Sequence, residues 1–185
     1  MGSFIDAISS NITEFVNSLA AKGYDVNLAG VRYSDTLMGG GGTNDRAPSA
    51  SGFYSNATFF LAGFLNPLTL DYGGDGPEDG LGGLTLAATE NAFSPSFRDG
   101  ASKVFVLVTD NTVKNTEDPT DTGAVQSLAS VISSLVASNI TVLAIDRNAA
   151  DVREIVEATG GERFDIDTDD YSVLLQSLAA AVGRV

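Results

Sequence analysis

Acidic side chains follow strand-like apolar runs in this sequence, and these are the positions where chemistry is expected. Residues 103–108 read Lys-Val-Phe-Val-Leu-Val and are followed by Thr109 and Asp110. Five consecutive apolar residues, mostly β-branched or aromatic, predict a strand buried on both faces. Ligands bind at the carboxyl ends of strands in an open parallel sheet, so Asp110 is a candidate functional carboxylate. The alternative is that Asp110 only caps the following loop.

The composition limits the kinds of chemistry that the chain can carry out. Histidine and cysteine are absent, which excludes thiol nucleophiles, Ser-His-Asp triads and the usual zinc ligand sets. Any metal would therefore be a hard cation held by oxygen, such as Mg²⁺, Mn²⁺ or Ca²⁺. The net charge of −14 repels nucleic acid and anionic membranes and favours cations, although acidity serves solubility equally well.

The length and hydropathy indicate one folded unit. The chain has 185 residues, of which 43% are hydrophobic, enough for a single domain (1–185) with a sizeable core. No apolar run approaches the roughly 20 residues that span a bilayer, so no membrane insertion is expected.

Helical and strand-like patterns alternate along the chain. Apolar residues at spacings of three and four predict a first helix, with a capping box from Ser3 to Asp6 and an end at Gly23. Residues 26–33 alternate as a strand does and lead to Ser34 and Asp35. Next come a short helix capped by Asn56 and a helix with Pro77 in its first turn. The strand 103–108 follows, then a helix from Val125 to Asn139 and the strand 140–146. The last patterns predict a helix 151–159, a short strand 163–166 and a helix capped by Asp170. This alternation predicts an α/β fold, a doubly wound and mostly parallel sheet with helices on both faces.

A second group of acids lies in a glycine-rich loop. Residues 73–81 read Gly-Gly-Asp-Gly-Pro-Glu-Asp-Gly-Leu and contain Asp75 and Glu78. Both carboxylates could supply oxygen to a cation. Alternatively, both only serve the electrostatics of a helix terminus, because Pro77 suits a helix's first turn and Glu78 and Asp79 would complement the positive end of its dipole.

Three segments together resemble a von Willebrand factor A-type domain. Residues 97–110 look like the fourth strand of that family and its lead-in, residues 73–81 look like its Gly-Gly-Asp-Thr-Pro-Glu loop, and residues 26–35 look like its second strand. The resemblance implies a Rossmann-like fold and a metal-ion-dependent adhesion site at the top of the sheet. It implies that Asp110 is a metal-site carboxylate. Gly76 stands where that family has a threonine ligand, so Asp75 and Glu78 are the substitute oxygen donors.

One part of the family pattern is missing. The Asp-x-Ser-x-Ser loop that follows the first strand does not occur, and Met1-Gly2 with the helix after it resembles the sequence just beyond that loop. We therefore expect an N-terminally truncated domain that lacks its first strand and has an incomplete cation site. The neighbours of that strand would expose backbone groups and apolar faces unless another segment, such as the remainder of a larger polypeptide, completes the sheet.

The resemblance implies a binding function. It predicts a non-enzymatic, extracellular or cell-surface module in which a divalent cation bridges to a carboxylate of a protein partner. Two other hypotheses remain open, a nucleotide- or phosphate-binding doubly wound domain and a fragment without independent function. Nucleic acid is not an expected partner.

Overall fold

The computed structural model describes residues 2–34, 48–69, 76–89, 93, 97–121, 123–168 and 170–184. Within these ranges the helices are α1 (Gly2–Ala21), α2 (Ala57–Phe60, continued by a π-helical turn, Leu61–Leu65), α3 (Gly80–Ala88), α4 (Leu128–Ala137), α5 (Ala150–Thr159) and α6 (Tyr171–Val182). The strands are β1 (Val31–Arg32), β2 (Ser49–Ala50), β3 (Lys103–Val108), β4 (Ile140–Asp146) and β5 (Arg163–Asp165).

The main sheet is parallel, with the strand order β3-β4-β5. Its central strand is β4, in which Thr141 alone is not fully buried. Successive side chains of a strand point to opposite faces. Leu143 and Ile145 accordingly pack with α1 and α6, whereas Val142 and Ala144 pack with α3, α4 and α5. Helices therefore cover both faces of this sheet.

The predicted α/β class is confirmed at this level, but the expected size of the sheet is not. The parallel sheet of the described residues has three strands, whereas the sequence patterns predicted four strands for a doubly wound, mostly parallel sheet. Residues 26–33 account for the difference. Only Val31–Arg32 is a strand there, and it pairs antiparallel with Ser49–Ala50 in a separate two-stranded sheet. A further bridge joins Leu28 to Tyr54.

The prediction that β3 is buried on both faces is wrong. Leu107 is buried, but Val106 is 38% exposed and the other β3 side chains are half-buried. The physical reason is the position of the strand. β3 pairs with β4 along one edge and, among the described residues, has no strand along the other.

The helix ends follow local sequence signals in most cases. Asn56 accepts a hydrogen bond from the Phe59 amide, and Asp170 accepts one from the Val173 amide, as N-caps do. Ser3 is not a cap, because α1 already begins at Gly2. α4 begins later than predicted, because Ser127 caps it. None of the described helices is long and apolar enough to cross a membrane.

Candidate functional site

The carboxyl end of β3 forms a fixed turn that carries Asp110. The buried Thr109 side chain donates to the Asn111 carbonyl at 2.9 Å and accepts from the Asn111 amide at 3.2 Å. The Asp110 carbonyl oxygen accepts from Arg147 Nη1 at 3.2 Å, which ties this turn to the end of β4. The backbone at Asp110 is therefore held from two sides.

Glu78 lies beside the loop that follows Asp110. Its amide donates to the Thr112 carbonyl at 3.2 Å, and its carbonyl accepts from the Lys114 amide at 2.8 Å. These bonds form a parallel bridge between Glu78 and Val113. The sequence does not indicate this pairing, because it joins residues that are distant along the chain.

Of the two residues predicted to complement the helix dipole, Glu78 and Asp79, only Asp79 lies directly at the start of α3. α3 begins at Gly80, so Pro77 and Glu78 precede the helix, and the prediction that Pro77 lies in its first turn is wrong. Asp79 is the N-cap, and its buried carboxylate accepts from the Gly82 amide at 3.0 Å. Local hydrogen bonding at the helix N-terminus therefore explains Asp79. It does not explain Glu78, which precedes the helix.

Tyr33 connects these carboxylates to β3. Its phenol donates to the Val108 carbonyl oxygen at 2.6 Å. Its ring packs on α3, where a Cβ added at Gly83 would lie 2.9 Å from the ring. Burial raises the pKa of Tyr33 well above its ordinary value, and a hydrogen bond with Thr109 opposes this shift. The charges of Glu78 and Asp110 also raise this pKa, so both carboxylates act on the same phenol.

Two other acids of this region have structural partners. Asp146, at the end of β4, accepts from Arg163 Nε at 3.0 Å and from the Ala149 amide at 2.9 Å. Asp151 accepts from the Val113 amide at 2.8 Å and so holds the loop after Asp110. We assign both to positioning the edge rather than to binding a ligand.

The structure describes two of the three predicted metal ligands. Asp110 and Glu78 both line the groove that runs beside β3 to this edge. Asp75 lies outside the described residues, as does Asp35. The sequence patterns did not indicate two residues of this region. One is Lys114, and the other is Tyr33, whose part in the site was not expected. Lys114 is almost fully buried, and no local pattern around it predicts this. The aromatic residue before Ser34 was the available signal for Tyr33.

The oxygen donors suit a hard cation in type but are few in number. In the described part of the chain, no three carboxylates come together as a metal-binding group. Ca²⁺ takes six to eight oxygen ligands, whereas Mg²⁺ keeps several waters and is often held by one or two carboxylates. Asp110 and Glu78 therefore fit Mg²⁺, or Mn²⁺ as its substitute, better than Ca²⁺.

Comparison with known proteins provides no second line of identification. No protein-family model matches the chain. A search of curated proteins finds no similar sequence. The von Willebrand factor A resemblance therefore remains a prediction that rests on the three segments quoted above.

Proposed function

We propose that this chain is a non-enzymatic protein-binding module of the von Willebrand factor A type. A divalent cation at the carboxyl edge of the sheet, next to Asp110 and Glu78, bridges to a carboxylate of the partner protein. The observation that carries the proposal is geometric: the bridge between Glu78 and Val113 puts Glu78 beside the loop that follows Asp110, and both residues line the same groove. Asp75 belongs to the proposal through the resemblance only.

The charge balance of the chain supports a cation in this position. The chain has 24 acidic and 10 basic residues, so its overall field attracts cations. The same overall field disfavours a phosphate group.

Isothermal titration calorimetry with MgCl₂, MnCl₂ and CaCl₂ tests the cation. Because two carboxylates alone hold a cation weakly, we expect a dissociation constant on the order of 1 mM, with Mg²⁺ and Mn²⁺ preferred over Ca²⁺. Asp110→Asn and Glu78→Gln should each weaken binding by about tenfold or more. The matched control is Glu157→Gln. Glu157 is exposed near the C-terminal end of α5, which runs away from the carboxyl edge of the sheet, and its loss should change nothing.

The bridging step has its own measurement. Bound Mn²⁺ speeds the relaxation of water protons, and a glutamate-containing peptide should reduce this effect because its carboxylate displaces a metal-bound water. An amide-for-carboxylate peptide is the control. Unchanged cation binding in Asp110→Asn would refute the proposal. Nucleotide binding without any cation binding would favour the phosphate-binding alternative instead.

A further inference from the structure

A long apolar groove lies beside β3. Its volume is about 690 Å³, and residues 24–34 and 101–110 each line it without interruption. Ile12 of α1 and Leu178 of α6 contribute to one face, and Leu84 of α3 contributes to the other. A compact ligand pocket has no need of two continuous backbone stretches as walls, whereas a site for an extended chain does.

The two walls run in the same direction and are held apart. Arg98 Nη1 donates to Asp25 Oδ2 at 2.6 Å near the start of β3. At the other end, the Tyr33 phenol donates to the Val108 carbonyl oxygen. Paired strands lie about 4.8 Å apart, but among the described residues β3 and residues 26–33 form no strand pairing with each other. The groove of about 690 Å³ separates them instead, and this is the space that a strand would occupy.

Backbone groups of both walls face the groove. On the opposite side of the first wall, the backbone groups of Leu28 bond with Tyr54 and those of Gly30 bond with Ser51. Because the amides of an extended chain point alternately to its two sides, those of residues 29 and 31 point towards the groove. β3 forms its strand hydrogen bonds with β4 along one side. Every second backbone amide and carbonyl of β3 therefore points to the other side, towards the groove. Two strand edges thus face each other across the groove.

The lining defines the chemistry of the occupant. Apolar side chains of α1 and α6 lie on one side of the groove and those of α3 on the other, so an inserted strand would be buried on both faces. A strand of that kind is a continuous apolar run, not an alternating one. The six residues of β3 set the upper limit of the length of the inserted strand, because at the carboxyl end the Val108 carbonyl already accepts from the Tyr33 phenol.

The sequence itself does not contain a spare segment of this kind. The stretches outside the described residues, 35–47, 70–75, 90–92 and 94–96, contain at most two consecutive aliphatic residues, Leu37 and Met38. We therefore propose that the groove binds an apolar segment of up to six residues, supplied from outside these 185 residues, as an added strand between β3 and residues 26–33.

Hydrogen–deuterium exchange with a synthetic strand tests this proposal. The probe is a capped peptide of six alternating valines and isoleucines with two lysines at each end. At a peptide concentration about ten times its dissociation constant, the amides of β3 and of residues 26–33 should exchange about tenfold more slowly. Exchange in α4 should not change. The experiment is done in EDTA, so its result is independent of the cation proposal.

Two matched peptides separate strand addition from simple apolar binding. One carries aspartate at its third apolar position, and the other has alternate amides N-methylated so that one strand edge cannot donate. Neither should protect β3. Equal protection by the N-methylated peptide would refute strand addition, because an apolar pocket does not require those amides.

A variant of the protein tests the location. Val106 lines the groove and is 38% exposed, so Val106→Asp should reduce peptide affinity at least tenfold. Val136 on α4 is 49% exposed and is absent from the groove lining, so Val136→Asp is the control and should bind normally. Equal binding by both variants would contradict the proposal. Protection of β3 that depends on protein concentration, without peptide, would show instead that a second copy occupies the groove.

Discussion

The buried ion pair between Asp146 and Arg163 provides the sharpest test of how the carboxyl edge is held. The Asp146 side chain is 1% exposed and that of Arg163 is 19% exposed. Arg163 Nε and Nη2 donate to the two carboxylate oxygens at 3.0 and 2.5 Å. The Ala149 amide also donates to this carboxylate, and Arg163 Nη1 donates to Asn148 Oδ1 at 2.6 Å.

Removing Arg163 and removing Asp146 leave the remaining partner in different surroundings. Arg163→Met leaves a buried carboxylate with the Ala149 amide as its remaining donor among these contacts, and loss of one partner of a buried pair costs about 3–5 kcal/mol. Asp146→Asn keeps an oxygen acceptor in place, and Arg163 keeps Asn148 and some access to water. Its cost should be near that of a charged hydrogen bond, about 2 kcal/mol. Arg163→Met should therefore destabilise the fold more than Asp146→Asn.

Urea unfolding followed by circular dichroism measures this order. With a slope of about 2 kcal/mol per molar urea, the midpoint should fall by about 1.5–2.5 M for Arg163→Met and about 1 M for Asp146→Asn. The matched control is Arg184→Met, which removes an ion pair to Glu162 whose side chains are 59% and 49% exposed. Because water screens that pair, the midpoint should move much less. The reverse order of the two core variants, or shifts no larger than that of the control, would refute the reasoning.

Two further predictions concern Tyr33 and the turn after α5. Because burial and two nearby carboxylates raise the pKa of Tyr33 above 10, the stability from its neutral phenol is fully present below pH 10 and is lost as the pH rises further, by about 1.4 kcal/mol per pH unit. Tyr33→Phe should remove this part of the alkaline slope in urea titrations above pH 10, and an unchanged slope would contradict the assignment. A Cβ at Gly161 would lie 1.8 Å from the Val142 carbonyl oxygen. A Cβ at Gly160 would meet open space, so the cost of alanine there comes only from the φ of +72°. Calorimetry should therefore show a larger loss of melting temperature for Gly161→Ala than for Gly160→Ala, whose cost is about 1–2 kcal/mol, and equal losses would count against the close contact.

The sequence predicted those elements whose signals are local. β4 is a continuous apolar run that ends at Asp146, and the structure has it at residues 140–146, almost fully buried. Gly160 ends α5 in the left-handed conformation, as expected of a glycine at that position. These features depend on side-chain size, branching and backbone freedom, which can be read from a few neighbouring residues.

The burial of β3 could not be predicted in the same way. Its apolar run is as continuous as that of β4, but Val106 is 38% exposed. Periodicity reports which side chains avoid water and does not report how many strands lie alongside. Central and edge positions in a sheet therefore have the same local signal when both strands are apolar.

The candidate site was predictable only where it lies on a strand end. Asp110 follows β3 directly, and its place at the end of a strand makes it a candidate from the sequence alone. Tyr33 reaches Val108 across 75 residues of sequence, and Glu78 pairs through its backbone with the Val113 segment. Contacts of this kind depend on how elements pack, so a single sequence does not contain them as a pattern.

The two edges of the main sheet differ in a way that supports strand addition at β3. The outer edge at β5 has three residues, of which Arg163 and Asp165 are charged, and short charged edges resist pairing with other strands. The edge at β3 has six residues, of which five are apolar. Along it, Val104 and Val106 line an apolar groove, where a partner strand would remove both side chains and backbone groups from water. An edge of that composition is a liability in a protein that leaves it uncovered. The asymmetry therefore favours β3 as the edge that another strand covers, with Asp110 at the point where that strand would end.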